Sequence, residues 1–206
     1  MKKNIFLLII SSLTYYKIYS QVSIYTGLNS SNIKNGTVTE ISSKKNQGIN
    51  AGIQINSPIF LNNYSVFSRL GYTQAGSKYE FNDGFYSYNS TLTLDYLNFA
   101  LLGKYSIKGT DFFSLFAGPQ IGYLLKGKSK NTSSYLGETN IVDEDLKEFL
   151  KKYDLSMLFG AEIALPINYP IYLSVNYQLG LSNINDDGNN SMKNNITSFI
   201  IRYQFN

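Results

Sequence analysis

The 206-residue chain contains no cysteine, no histidine and no tryptophan. Without cysteine there are no disulfides, no thiol chemistry, no lipid attached to a cysteine and no zinc site built from thiolates. Without histidine the chain lacks the commonest general base near neutral pH and the imidazole ligands of zinc. Only 16% of the residues are charged. These absences favour a non-enzymatic role, and we expect no metal and no other cofactor.

The chain also lacks an apolar run long enough to span a membrane as a helix. A shorter apolar segment, IFLLIISSL, lies at residues 5–13. Lys2 and Lys3 precede it, and Ser20 supplies a small residue before a cleavage at Gln21, so residues 1–20 are predicted to be a signal peptide. A retained membrane anchor is the alternative. Removal of three lysines would lower the net charge from +4 to about +1, which gives no basic patch for nucleic acid.

Residues 171–181, IYLSVNYQLGL, carry an apolar side chain at every second position. A period of two over this length is typical of a β-strand with two unlike faces. Strands of about 9–11 residues cross a bilayer when tilted. Alternating segments of this kind are predicted at residues 22–29, 48–56, 64–76, 91–105, 113–127, 153–165, 171–181 and 196–205.

The connections between these eight segments alternate between long and short. The long ones are residues 30–47, 77–90, 128–152 and 182–195, and the short ones are 57–63, 106–112 and 166–170. Outer-membrane barrels have short periplasmic turns and longer outer loops. We therefore predict one all-β domain at residues 21–206, an eight-stranded antiparallel up-and-down transmembrane β-barrel. A soluble lipocalin-like barrel is the alternative, but it would need apolar residues inside.

Charged residues within the strands are expected to point into the barrel, because Lys or Arg facing lipid near the midplane costs roughly 2–4 kcal/mol. An eight-stranded barrel is just wide enough for side chains to fill. We predict a hydrogen-bonded structural plug there, and a proton or ion path is the alternative. Its members are Arg69, Lys104, Glu162, Arg202, Asn176 and Gln178, with Asn50, Gln54, Gln120 and Gln204 around them.

Three places disturb the alternation. In residues 92–96 the apolar side chains are at even-numbered positions, and in residues 97–101 they are at odd-numbered ones. This change of face predicts a bulge near residues 95–97. Pro119 predicts a second bulge, because proline cannot donate to the ladder. Pro58 is expected to end the second strand for the same reason.

The longest connection, residues 128–152, contains the only convincing helical pattern, at residues 143–152. Leu146, Phe149 and Leu150 recur at helical spacing, with acids before them and lysines after them. We predict that this segment is a helix and that these three residues form an outer contact surface, since loops usually carry function. Alternatively, the helix only caps the rim of the barrel.

Several segments together resemble the PorT-like outer-membrane β-barrel family of Bacteroidetes. They are residues 25–29 (YTGLN), 94–102 (LDYLNFALL), 117–122 (AGPQIG), 153–156 (YDLS), 160–161 (GA) and 177–184 (YQLGLSNI). Asn98 and Ala100 stand where the family usually has Glu and Pro, and the aromatic Phe205 is penultimate rather than last. The resemblance implies an outer-membrane barrel in a Gram-negative envelope, and it implies no activity, because most members of the family have none assigned.

We therefore expect a small, monomeric, non-enzymatic outer-membrane barrel whose partners are membrane lipid, the barrel-insertion machinery and a surface or envelope protein. Small outer-membrane barrel enzymes resemble each other in using a histidine, which this chain lacks. The acidic pair Asp186 and Asp187 lacks the rest of a calcium-binding loop. A narrow, porin-like solute channel and an accessory component of a secretion or envelope machine are the alternative functions.

Overall fold

The computed structural model describes residues 21–35, 43–61, 63–109, 112–135, 138–186 and 191–205. The predicted signal peptide, residues 1–20, lies outside this part of the chain. Within the described ranges no helix is long and apolar enough to cross a membrane. The described ranges contain nine β-strands: β1 Gln21–Asn35, β2 Ser43–Leu61, β3 Tyr64–Asn82, β4 Tyr86–Ser106, β5 Phe113–Tyr135, β6 Glu138–Asp145, β7 Tyr153–Ala164, β8 Ile171–Gly180 and β9 Met192–Gln204.

Eight of these strands form a closed antiparallel ring. The order runs β1-β2-β3-β4-β5-β7-β8-β9, and β9 pairs with β1 from Ser23↔Gln204 to Asn35↔Met192. Hydrocarbon offers no partners to backbone amides and carbonyls, so a sheet in a membrane must close on itself. The predicted eight-stranded barrel is confirmed, with β6 as a ninth strand outside the ring.

The two faces of the sheet separate as the alternation predicts. On β9, Phe199 is 60% exposed on the outer face, whereas Ser198 is 7% exposed on the inner face. The neighbouring strands repeat the pattern, with Val175 outward and Asn176 inward. Apolar side chains on the outer face and polar ones within are the arrangement of a barrel in lipid. A soluble barrel with an apolar interior would have the reverse.

Aromatic pairs mark both ends of the lipid-facing band. Tyr64 and Tyr105 lie with ring centroids 4.9 Å apart near the end where β1 begins and β9 ends. Tyr123 and Tyr153 lie 5.6 Å apart at the opposite end, where the ladder between β5 and β7 stops. Girdles of aromatic residues sit at the two interfaces of membrane barrels. By the same principle, the end with the short turns is periplasmic, and the opposite end is the outer one.

The predicted bulge in β4 is in fact in β5. β4 keeps one phase throughout, with Leu94, Tyr96 and Asn98 all facing the interior. Asp95 pairs with Lys126 but Tyr96 pairs with Leu124, so the extra residue lies opposite them on β5. The expectation was wrong because it assumed that apolar residues avoid the interior, whereas Leu92, Leu94 and Tyr96 join an apolar cluster inside the barrel.

The two prolines also act differently from the prediction. β2 continues past Pro58 to Leu61, and its ladder with β3 becomes irregular between Asn56 and Phe60 instead of ending. Pro119 faces outward and stays paired with Met157 of β7, without a shift of register. On the β4 side the ladder omits Leu101 and Leu102 and resumes in the same register. The missing N–H of Pro119 therefore interrupts the pairing with β4, but the strand contains no extra residue at this point.

The predicted helix at residues 143–152 is wrong. Residues up to Asp145 belong to β6, which forms a hairpin with the outer half of β5 from Lys128↔Asp145 to Tyr135↔Glu138. Only Lys147–Phe149 forms a single 3-10 turn. Pairing with β5 supplies the backbone hydrogen bonds that a helix would have made, and so overrides a weak local pattern.

Two of the outer connections, those after β3 and within residues 128–152, are therefore strand hairpins rather than irregular loops. β3 and β4 pair without interruption up to Asn82↔Ser87 and are joined by residues 83–85. Gly84 adopts φ +92°, which favours glycine. The backbone amides of Tyr86 and Phe85 donate to the Asp83 carboxylate at 2.7 and 3.0 Å and hold its pKa below the ordinary value. These bonds fix the shape of the hairpin tip.

A charge introduced on the outer face of the sheet tests whether this face contacts lipid. Phe199→Arg is expected to lower the free energy of unfolding by about 2–4 kcal/mol, because the guanidinium would replace an aromatic ring in lipid. Urea unfolding of the protein in liposomes, followed by the heat-modifiable gel shift, measures it. Phe85→Arg, the same substitution in the outer turn, is the control and should change stability little. Equal effects of the two substitutions would contradict the assignment.

Candidate functional site

A buried carboxylate shared by two cations lies inside the barrel near its periplasmic end. Glu162 of β7 accepts from Arg202 of β9 through Nε at 3.0 Å and Nη2 at 2.8 Å. Lys104 of β4 donates to the same carboxylate at 2.8 Å. Arg202 and Glu162 are only 1% and 2% exposed. Bidentate pairing of this kind is among the stronger charge-assisted interactions in proteins.

Neighbouring groups complete the coordination of Arg202. Its Nη1 donates to Ser23 Oγ at 3.0 Å and to Gln204 Oε1 at 3.2 Å. The ring of Tyr172 lies 3.7 Å from the guanidinium carbon, which places the cation over the aromatic face. The guanidinium is thus held in one orientation by groups from four strands.

Arg69 occupies a different environment, among aromatic rings. Its guanidinium carbon lies 4.9 Å from the ring centroid of Phe116, 5.2 Å from Phe67 and 5.4 Å from Tyr25. Its Nε donates to Gln54 Oε1 at 2.7 Å. The Asn176 amide, in the orientation that satisfies both groups, accepts from Arg69 Nη1 at 3.1 Å.

Side-chain amides connect Arg69 to the ion cluster. Gln54, which accepts from Arg69, donates to Asn56 Oδ1 at 2.8 Å. Asn56 donates to Gln204 Oε1 at 3.3 Å, and the same oxygen accepts from Arg202. Arg69, Lys104, Glu162 and Arg202 therefore belong to one network. Asn56 was not among the predicted members, because its place between two amides depends on the pairing of distant strands.

The predicted amides lie inside as well, and some make a separate contact. Gln178 accepts from Gln120 Nε2 at 2.9 Å, which links β8 to β5 over the inner face of β7. Asn50 donates to Asn29 Oδ1 at 2.6 Å, and Ser198 donates to that oxygen at 2.8 Å. The six predicted residues all lie within the barrel, but they share the lumen with apolar groups.

Two apolar clusters divide the polar interior into layers, which the sequence analysis did not anticipate. The one near the periplasmic half consists of Phe67, Ala100, Leu102, Phe116 and Leu158. The outer one consists of Ile33, Ala75, Leu92, Leu94, Tyr96, Leu124, Leu150, Ile184 and Ile196. Because both clusters fill the space between strands, the lumen is packed with side chains.

A second buried carboxylate, Asp154, lies at the outer end of the interior. It accepts from Asn194 Nδ2 at 2.9 Å and from Ser182 Oγ at 2.8 Å, and Asn194 also donates to Tyr96 at 3.1 Å. The alternation of β7 places Asp154 inward, but only the return of the chain after β8 brings Ser182 to it. In the described part of the chain, no three potential metal-ligating residues lie close enough to hold a metal ion.

The three residues predicted for the outer contact surface separate in the structure. Leu150 is buried in the outer apolar cluster, and Leu146 packs against that cluster. Phe149, between them, is 59% exposed. Leu150 also forms an isolated bridge with Asn185, which joins this segment to the connection after β8. The segment therefore covers the outer mouth with two leucines and presents Phe149 outward.

A family model described as outer membrane protein beta-barrel domain matches residues 11–186, well over half of the chain. The chain belongs to this family. The match ends before β9, the strand that closes the ring. The protein is a small outer-membrane β-barrel, located in the outer membrane, as the sequence predicted.

Solved structures of outer-membrane proteins resemble the fold at low sequence identity. Ail, the attachment invasion locus protein of Yersinia pestis, is 15% identical over 90% of this chain and 99% of that one, with a TM-score of 0.46. Neisserial surface protein A is 10% identical over 89% and 97%, with a TM-score of 0.49. The outer membrane protease OmpT of Escherichia coli is 11% identical over 92% and 99%, with a TM-score of 0.36. No curated protein sequence matches the chain significantly.

Removing the charge of Glu162 tests how much the ion cluster contributes to the free energy of unfolding. Glu162→Gln is expected to lower the free energy of unfolding by about 3–5 kcal/mol, because the buried Arg202 and the partly buried Lys104 then lose their counter-charge. Urea unfolding in detergent measures it. Glu80→Gln, which removes the partner of Lys44 in an exposed ion pair on the outer hairpins, is the matched control and should cost at most about 1 kcal/mol. Similar losses from both variants would contradict the interpretation.

Proposed function

We propose that this chain is a non-enzymatic, monomeric outer-membrane barrel of the PorT-like type from Bacteroidetes, whose outer hairpins contact a protein of the cell surface or envelope. Its filled interior holds the barrel rigid beneath those hairpins. Export through the signal peptide at residues 1–20 and insertion by the barrel-insertion machinery belong to the same proposal, as does a membrane-lipid environment around the strands.

The observation that carries this proposal is a set of exposed apolar side chains beyond the lipid-facing band. Phe85 is 75% exposed in the turn between β3 and β4. Ile141 and Val142 are exposed on β6, and Phe149 is exposed just after it. We name Phe85, Ile141 and Val142 the outer tip surface, whereas Phe149 lies nearer the mouth of the barrel, beside Gly127. Apolar side chains that pack neither in a core nor against lipid mark interaction sites when they are grouped.

The distance along the strands supports placing this surface outside the bilayer. β5 continues from Tyr123, its last residue paired with β7, to Tyr135, which is roughly 40 Å of strand at about 3.3 Å per residue. Tyr123 belongs to the aromatic pair at the outer end of the band. The hairpin of β5 and β6 therefore projects well past the outer interface.

The free backbone edge of β6 narrows the chemistry of the partner. Asp143, Glu144 and Asp145 follow Val142 directly and are all exposed, but Lys130 and Lys128 of β5 pair opposite Asp143 and Asp145 and balance most of this charge. β6 pairs only with β5 among the described strands, so one backbone edge remains available beside these residues. A protein segment with apolar side chains that adds to this edge as a strand would complement this arrangement.

The filled lumen argues against the narrow solute channel. Arg202, Glu162 and the apolar clusters occupy the interior at successive levels. A role as an accessory of a secretion or envelope machine is compatible with the same outer contacts, and it differs only in the identity of the partner.

Site-specific photo-crosslinking in intact cells tests the contact. A benzophenone amino acid at Phe85 or Phe149 is expected to give a discrete protein adduct, because both positions are exposed at the outer end of the protein. The double substitution Ile141→Ser and Val142→Ser should abolish that adduct while the heat-modifiable gel shift shows a folded barrel. The benzophenone at Phe199 is the control, and it should give no such adduct because it faces lipid. Absence of protein adducts at both outer positions would overturn the proposal.

Planar bilayer recording separates a contact protein from a channel. The inserted mature barrel is expected to be silent, because packed side chains leave no continuous path through the lumen. Insertion is verified by the gel shift of the same preparation. Discrete, repeated conductance steps that change in Glu162→Gln would favour the channel and contradict the filled interior.

A further inference from the structure

Arg69 is a buried cation without a buried counter-charge. It is 4% exposed, and among the described residues no carboxylate oxygen lies within 4 Å of its guanidinium nitrogens. Its Nε and Nη1 have hydrogen-bond acceptors, as described above, but its Nη2 has none. A buried charge is costly to a folded protein unless it is paired and hydrogen-bonded.

A cavity of about 30 Å³ adjoins this side chain in the middle of the lumen. Its wall is drawn from all eight strands of the ring and holds one formal charge, that of Arg69, with no carboxylate. The lining residues are Tyr25, Asn50, Arg69, Thr73, Asn98, Gln120, Leu158, Asn176, Gln178, Ser198 and Ile200. This volume has room for about one species of water size.

The two buried acids of the described interior already have partners of their own. Glu162 is shared between Arg202 and Lys104, so it has no further capacity for a third cation. Asp154 is held by Asn194 and Ser182 and takes no part in the wall of the cavity. The interior therefore contains more positive than negative charge, and the excess includes the guanidinium that borders the cavity.

We propose that this cavity binds one monovalent anion of halide size, with Arg69 Nη2 as the charged donor. The side-chain amides of Asn98 and Gln178 line the same space and carry N–H groups that can donate to an anion. Sulfate and phosphate are too large for a space that accommodates about one water molecule. Chloride is the abundant anion that matches both the charge and the size.

A single water molecule is the competing occupant. It would accept from Arg69 Nη2 and donate to Asn50 Oδ1, a second buried atom without a partner. Such a water would satisfy both hydrogen-bonding groups but would leave the guanidinium charge uncompensated. The two occupants therefore differ in one measurable respect, the dependence of stability on the type of anion.

Urea unfolding of the refolded barrel in detergent tests the proposal. Sodium chloride or bromide is exchanged for sodium gluconate at constant ionic strength, because gluconate is too large for the cavity. The unfolding midpoint of the unsubstituted protein should rise with halide concentration, as it does for any ligand that binds only the folded state. Equal midpoints in halide and gluconate would overturn the proposal.

Two variants separate specific binding from a general salt effect. Arg69→Gln keeps hydrogen-bonding capacity but removes the charge, and it should lose the halide dependence. Lys104→Met removes a lumen cation whose partner is Glu162 and which does not line the cavity, so it should keep that dependence. Halide dependence that survives in Arg69→Gln would overturn the proposal.

Crystals of the unsubstituted barrel soaked in bromide give a second readout that does not depend on how the variants fold. An anomalous peak within hydrogen-bond distance of Arg69 Nη2 is expected. Density for a water molecule in the cavity, without an anomalous signal, would show the competing occupant and overturn the proposal.

Discussion

The pairing of β9 with β1 is the contact on which the rest of the molecule depends. A strand edge exposed to hydrocarbon would leave a row of amides and carbonyls without partners, and closure removes that edge. Once the ring is closed at eight strands, the side chains of alternate positions must share a narrow interior. Charges such as Arg202 and Glu162 are then forced together, so their mutual pairing follows from closure.

A filled interior shifts recognition to the projecting hairpins. The layers of ion pairs, amides and apolar side chains give the ring the packing of a protein core. β3, β4 and β5 continue from this rigid base beyond the outer surface of the membrane, so a residue at a hairpin tip keeps a defined position relative to the barrel. Phe149 is placed in the same way, because Leu146 and Leu150 anchor its segment to the outer apolar cluster.

The sequence predicted the features that depend on alternation, and it missed those that depend on pairing between distant segments. The inward positions of Arg69 and Asn176 followed from a period of two. The bulge was assigned to the wrong strand, because Leu94 and Tyr96 alone do not reveal that β5 carries the extra residue. The helix at residues 143–152 failed because its spacing describes a local preference, whereas β5 supplied a competing ladder. The link through Asn56 depends on strand stagger, which no single segment encodes.

The two cations that share the Glu162 carboxylate become available to it at different stages of barrel assembly. Lys104 and Glu162 lie on strands that precede β9 in the chain, so their attraction exists before the last strand arrives. Arg202 comes with that last strand and takes up both oxygens of Glu162 while the backbone ladder with β1 forms. Completion of the ring and completion of the hydrogen bonding of this carboxylate therefore depend on the same strand. An incomplete barrel retains a carboxylate with only one of its two cations, which makes the unclosed intermediate electrostatically distinct from the finished one.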